Sequence, residues 1–107
     1  MGDLYEELYN VILEKRKSSK PDKSYVAKIS SKGKNKIAQK VGEEAVEAVI
    51  AAVNEGKKEL VAESADLLFH LLILWAERGV KPSDVKKELK KRMGTSGLDE
   101  KAARKLK

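Results

Sequence analysis

Five carboxylates stand at spacings that could hold a metal ion: Glu43, Glu44 and Glu47 in "KVGEEAVEAVIAA", then Glu63 and Asp66 in "ESADLLFHLLILW". Residues three or four apart share one face of a helix, so Glu44 and Glu47 form one pair and Glu63 and Asp66 another. Like charges at that spacing repel by a few tenths of a kcal/mol even when exposed. Two such pairs on facing helices repel more. The second pair opens a helix rich in leucine, with no Lys or Arg from Leu60 to Glu77 to neutralise it. Carboxylates drawn into an apolar setting need a cation or a metal. An all-oxygen ligand set suits Mg²⁺, with Mn²⁺ as the alternative, and does not suit zinc. Such a centre neutralises phosphate oxygens and acidifies or positions water.

A single E-x-x-E is commonplace on a solvated helix. E-E-x-x-E followed by E-x-x-D on an apolar helix is far more selective. Counted outward from the Glu55–Gly56 turn, Glu47 and Glu63 fall at similar distances, and Glu44 and Asp66 about one turn further. The four are expected to face one another at one level. His70, four residues after Asp66, is either a metal ligand or a buried ring that supports a carboxylate, and the second role is the expected one.

The charge is unevenly placed. Net charge is +6, and Lys15 to Lys40 holds ten basic residues against the single acid Asp22. A basic first third beside an acidic middle suggests a polyanion held at one end of a site whose other end binds cations. Arg16, Lys28, Lys32 and Lys40 are the candidates to hold phosphates. Lys40 lies one turn before Glu44 on its face and could equally serve as an i,i+4 partner for it. The plainer reading is a solvated lysine-rich surface. A helical module binding nucleic acid or a partner protein is allowed by charge, but it leaves the five acids unexplained. "SSKGKNK" lacks the phosphate-loop pattern, and no arrangement suggests a serine or thiol nucleophile.

Proline and glycine punctuate the elements that must position these residues. Apolar residues Leu4, Leu8, Val11 and Ile12 predict an amphipathic helix over Asp3–Lys17. "KSSKPDKS" reads as a loop, Ser24–Ser31 as a short helix, and Gly33 as its breaker. Lys34–Asn54 is a long helix with Ile37, Val41, Ala45, Ala48 and Ala52 on its apolar face. Gly56 is expected to end it as a left-handed cap. Lys57–Arg78 follows, ended by Gly79, and Pro82 starts a helix to Arg92. No strand alternation is present. The fold class is all-α: an antiparallel hairpin of the two long helices, with shorter flanking helices. One hairpin cannot bury a helix as apolar as Glu63–Trp75, so a homodimer with a four-helix-bundle core is expected. Residues 1–92 read as one domain and 93–107 as a basic C-terminal tail.

The chain of 107 residues has no cysteine, which excludes disulfides and thiolate metal sites. Its first residues carry no signal-peptide pattern. Its longest uncharged run, Leu67–Ala76, is far below the ~18 residues of a membrane span. A cytoplasmic protein without membrane or nucleic-acid partners is expected.

The stretch "SYVAKISSKGKNKIAQKVGEEAVEAVIAAVNEGKKELVAESADLLFHLLILWAERGV" resembles the phosphoribosyl-ATP pyrophosphohydrolase family of histidine biosynthesis, a branch of the all-α nucleotide pyrophosphohydrolases. The acid signature marks the wider group. "SY.AK" at Ser24–Lys28, "K.GEEA.E..IAA" at Lys40–Ala52 and "ADLL.HLL" at Ala65–Leu72 mark the branch. Phe69 departs from the tyrosine expected there, which puts a hydroxyl contact at that position in doubt. The resemblance implies Mg²⁺-dependent cleavage of the α–β phosphoanhydride of phosphoribosyl-ATP and a homodimer. It implies Glu44, Glu47, Glu63 and Asp66 as metal ligands, with Glu43 and Glu44 as catalytic residues and Glu43 either supporting a ligand or activating water. A broad nucleoside-triphosphate pyrophosphohydrolase is the rival enzymatic reading.

Overall fold

The computed structural model describes residues 3–94. Among them there are five helices and no strand: α1 (Leu4–Ser18), α2 (Tyr25–Ser31), α3 (Lys34–Asn54), α4 (Lys57–Arg78) and α5 (Pro82–Met93). The all-α expectation is borne out, and α3 and α4 begin and end at the residues read from the sequence. Most of the proposed tail, from residue 95 on, lies outside the described residues.

Local chemistry sets each boundary. The Asp3 carboxylate accepts from the Glu6 backbone N–H at 2.9 Å and caps α1, whose last turn carries Lys15, Arg16 and Lys17. That arrangement suits the helix dipole at both ends. Ser24 Oγ accepts from the Ala27 N–H and starts α2. Gly33 has φ +89°, a value that suits glycine, and turns the chain between α2 and α3. At the far end of α4, Gly79 is left-handed (φ +72°), and the N–H groups of Gly79 and Val80 donate to the Ala76 and Trp75 carbonyls. That paired return closes the helix.

Gly56 departs from expectation. Its backbone is extended, with φ −108°, and it caps the start of α4 rather than closing α3 in the left-handed region. The Glu59 carboxylate accepts from its N–H at 3.1 Å. The two-residue link gives each helix its own cap: the Glu55 N–H donates to the Ala51 carbonyl at 3.1 Å and closes α3, which leaves Gly56 to open α4.

α3 and α4 pack on each other more extensively than any other pair, and α1 and α2 also pack on α4. The core is Tyr9, Ile12, Val26, Ile29, Ile37, Leu72 and Ile73, with Phe69, Leu74 and Trp75 against it. It therefore sits where α1 and α2 meet the start of α3 and the second half of α4. The other half of the α3–α4 pair is bare. Val46, Val49, Ile50 and Val53 form an i, i+3, i+4, i+7 stripe, and Val49 and Val53 are 61% and 74% exposed. Val61 and Leu68 extend the exposed apolar surface on α4. The radius of gyration, 16.3 Å, exceeds the ~13 Å of a compact domain of this length.

One sequence expectation changes here. Of the expected inward face of α3, Ile37 is buried and Val41, Ala45 and Ala48 are half-buried, but at its far end Ala51 is buried and Ala52 is exposed. The Glu63–Trp75 helix is only partly buried within one chain, as a single hairpin allows. Asp66, Ala65 and Leu68 are exposed within the chain, and only His70, Leu72 and Ile73 are buried.

Candidate active site

The interface between α3 and α4 gathers the acids. One carboxylate oxygen from each of Glu44, Glu63 and Asp66 lies within 4.8 Å of the others. Glu44 shares a helical face with Ile37, Val41 and Ala51, so packing α3 on α4 draws its side chain inward. Its Oε2 is buried and has no hydrogen-bond partner. A buried, unpartnered carboxylate oxygen is costly. Beside two further carboxylates, it is the donor arrangement a hard divalent cation satisfies. Oxygens on opposite sides of such an ion are about 4.2 Å apart, so the three are gathered on the right scale.

Glu47 falls outside that trio and is exposed. It is still near enough to act on Glu63. Burial first, and then the negative charges of Glu47, Glu44 and Asp66, raise the Glu63 pKa above the ordinary 4.5. The metal-free folded chain thus binds a proton on Glu63 more tightly than the unfolded chain does. The sign follows: stability from this group is present below pH 4.5 and is lost as pH rises through the folded value. Glu63→Gln is expected to melt at higher temperature than the wild type in EDTA, with a gap that widens from pH 4 to pH 7. Thermal unfolding across that range checks it, and a variant less stable at pH 7 than at pH 4 relative to wild type would contradict it.

The basic residues gather next to the acids. Lys28, Lys32, Lys36 and Lys40 line a cleft of about 290 Å³ with Tyr25, Ile29 and Glu43. Lys36 was not singled out from sequence, yet it continues the four-residue spacing of Lys28, Lys32 and Lys40 and precedes Lys40 by one turn. Among the described residues, Lys28, Lys32 and Lys36 pair with no carboxylate within 4.0 Å. Lys40 pairs with Glu43 at 3.4 Å and not with Glu44. Burial disfavours the Lys40 charge, but its bond to Glu43 and the fields of Tyr25, Glu43 and Glu44 outweigh that and raise its pKa.

Glu43 is exposed and accepts a hydrogen bond from Gln39 at 2.8 Å. That bond and Lys40 lower its pKa below the usual glutamate value, which weakens it as a base. Arg16 lies elsewhere: its guanidinium bonds Glu77 Oε1 at 2.9 Å and Ser30 Oγ at 3.2 Å, clipping α1 to α4 and α2. Glu77 already occupies its charge.

His70 is buried between two partners. Its Nδ1 is 2.8 Å from the Asp66 backbone carbonyl, and its Nε2 is 2.7 Å from the Tyr25 hydroxyl. It therefore touches the backbone of Asp66 rather than a carboxylate. Tyr25 is the residue that sequence reading missed. It stands 45 positions from His70 in the chain, and its ring stacks on Phe69 with centroids 6.4 Å apart.

Comparison with known proteins accords with this site. Residues 5–93 match the family described as phosphoribosyl-ATP pyrophosphohydrolase. The chain is 61% identical over 101 residues to the phosphoribosyl-ATP pyrophosphatase of Paramagnetospirillum magneticum, covering 94% of this chain and 92% of that protein. It is 52% identical over 99 residues to the protein of that name from Gluconobacter oxydans, covering 92% and 74%. With that of Rhizorhabdus wittichii it shares 57% over 89 residues, covering 83% and 84%. These matches span nearly all of the described fold and both halves of the site, and the chain belongs to the phosphoribosyl-ATP pyrophosphohydrolase family.

Proposed function

We propose that this chain hydrolyses the α–β phosphoanhydride of phosphoribosyl-ATP, releasing phosphoribosyl-AMP and pyrophosphate in the second step of histidine biosynthesis. The observation that carries the chemistry is the adjacency of two opposite charges: three carboxylates on α3 and α4, and a cleft of four lysines on α2 and α3. A polyphosphate laid across the seam meets lysine on one side and the acids on the other.

Glu44, Glu63 and Asp66 would hold the cation, with Glu47 one turn away to complete the set; Mg²⁺ fits, and Mn²⁺ is the alternative. When bound, such an ion supplies charge neutralisation at the phosphate oxygens and favours ionisation of water. The lysines do the rest of the electrostatic work. Lys36 and Lys40, half-buried, are placed for the phosphates nearest the acids; Lys28 and Lys32, more exposed, suit the outer phosphate or the ribosyl phosphate. Glu43 holds Lys40 against the seam. It remains the carboxylate nearest the metal face that a proton from water could reach, as a weak base. Arg16 contributes by fixing α2 to α4, so that its effect on binding is indirect.

The bare stripe on α3 and α4 supports the homodimer. Two copies joined along Val46, Val49, Ile50, Val53, Val61 and Leu68 would form a four-helix core and cover the face that one α3–α4 pair leaves open. No described helix is long and apolar enough to cross a membrane, and we place the enzyme in the cytoplasm.

The test is pyrophosphate release from phosphoribosyl-ATP, ATP and a panel of deoxynucleoside triphosphates at equal concentration, with Mg²⁺ and with EDTA. The expected result is turnover of phosphoribosyl-ATP at least about a hundredfold above the others, equivalent to roughly 3 kcal/mol of discrimination, abolished by EDTA. Preference for ordinary nucleotides would move the chain to broad nucleotide hydrolysis.

A further inference from the structure

The acids answer to a cation and the lysines to phosphates, but a nucleotide also carries a base, and neither group of charges holds one. A base is flat and presents two apolar faces, which an aromatic ring can cover by stacking. Besides His70, the aromatic rings of the chain are Tyr5, Tyr9, Tyr25, Phe69 and Trp75. Tyr9 lies in the core, and Phe69 and Trp75 pack against it. Tyr5 lines a separate apolar groove with Trp75, Val85 and Leu89. Tyr25 is the one that lines the lysine cleft.

On α2, Val26, Ala27 and Ile29 are buried and hold the helix to the fold, while Tyr25 is 46% exposed. It is nevertheless fixed. Its hydroxyl is hydrogen-bonded to His70 Nε2 at 2.7 Å. Phe69 stacks along its ring, and His70 meets it edge-on with centroids 5.5 Å apart. A ring so held has little rotamer freedom left to lose when a ligand covers it. Tyr25, Lys28 and Lys32 also follow the i, i+3, i+7 spacing of one helical face, on which residues one turn apart have Cβ atoms separated by about 5–6 Å. The ring and the nearest lysine therefore stand side by side. A nucleotide joins its base and its phosphates through a single ribose, so one ligand can reach both.

We propose that Tyr25 is a further substrate-binding residue, on whose ring the purine of the nucleotide stacks, and that it lets the cleft distinguish a nucleotide from an inorganic polyphosphate of the same length. Phe69 backs the platform. The identity of the nucleotide rests on the hydrolytic reading above, so the test has one arm that needs no turnover.

That arm is calorimetric titration in EDTA with ATP, phosphoribosyl-ATP and inorganic tripolyphosphate. Tyr25→Leu removes the ring, and Tyr25→Phe keeps it. Both lose the hydroxyl, so the His70 bond is absent from both and cancels from the comparison. Tyr25→Leu should weaken both nucleotides at least about tenfold and tripolyphosphate by less than about twofold. Tyr25→Phe should recover most of the lost nucleotide affinity. With Mg²⁺ and phosphoribosyl-ATP, Tyr25→Leu should raise KM at least about tenfold with kcat within about threefold, because a base held alike in ground and transition states contributes uniform binding. Melting temperatures and helical circular dichroism of both variants separate loss of fold from loss of the platform. A ring that merely props α2 would, on removal, disperse Lys28 and Lys32 and weaken tripolyphosphate as much as the nucleotides. That result overturns the proposal, as do equal losses in Tyr25→Phe and Tyr25→Leu, or a loss confined to kcat. A wild type that turns over no nucleotide but whose variants show the selective losses in EDTA would count against the hydrolytic reading and leave the base platform standing.

Discussion

Asp66→Asn is expected to reduce turnover of phosphoribosyl-ATP by about a thousandfold or more, a loss of roughly 4 kcal/mol of transition-state stabilisation, while the protein stays folded. The substitution keeps shape and removes charge. Asp66 is one of three carboxylates whose oxygens converge, and it is the exposed member, so its side chain supports no core packing. The His70 bond goes to its backbone carbonyl and survives the change. In the absence of metal the variant should lose one of the charges that repel Glu63. Measured pyrophosphate release, with circular dichroism as the control for fold, checks this. A variant retaining more than a tenth of the wild-type rate would remove Asp66 from the metal site.

Val49→Asp should convert a dimer into a poorly folded monomer. Val49 lies in the middle of the bare stripe on α3, 61% exposed within one chain. Each valine covered by a partner contributes on the order of 1.5 kcal/mol. Across a symmetric interface one substitution acts twice, and it places two like charges in an apolar setting with no partner. Sedimentation at micromolar concentration should show a dimer for the wild type and loss of that species for the variant. Val49→Ala, which removes contact without adding charge, should weaken association while leaving it detectable. A wild-type chain that sediments as a stable monomer at all concentrations would refute the shared core.

The helices were legible because glycine and proline bound them so sharply. Gly33 before Lys34–Asn54 and Gly79 after Lys57–Arg78 both take positive φ and mark those ends. The pairing of Glu63 with Asp66 was legible for the same reason that any i,i+3 pair is: both sit on one helix, and the helix period places them. The inward face of α3 was legible over Ile37, Val41, Ala45 and Ala48, and what could not be read was how far along the helix α4 follows it. There Ala51 is buried where Ala52 was expected, and Glu47 stands outside the trio while Glu44 is drawn in. Tyr25 was invisible for a related reason. Its partner is 45 residues away, and nothing in "DKSYVAK" signals a distant imidazole. Arg16 looked like a phosphate ligand because basic residues surround it in the chain, while its acid, Glu77, comes from the far end of α4. Lys36 could have been found: it lies one turn before Lys40.

The seven residues of α2 have a consequence for how the enzyme would lose function. Isolated helices shorter than ~12 residues are marginal in water, so α2 owes its shape to its attachments. These are the Ser24 cap, the Arg16–Ser30 bond, the Tyr25–His70 bond and the apolar anchors Val26 and Ile29. It also carries Tyr25 and Lys28. Half of the anion cleft is therefore borne by the segment with the least autonomy. Local opening there, far below the free energy of global unfolding, disperses the lysine half of the cleft while the acids stay in register. A substitution at Arg16 or Ser30 would present as weak substrate affinity in a protein that melts almost normally, because the helical order of α2 is itself part of the binding constant.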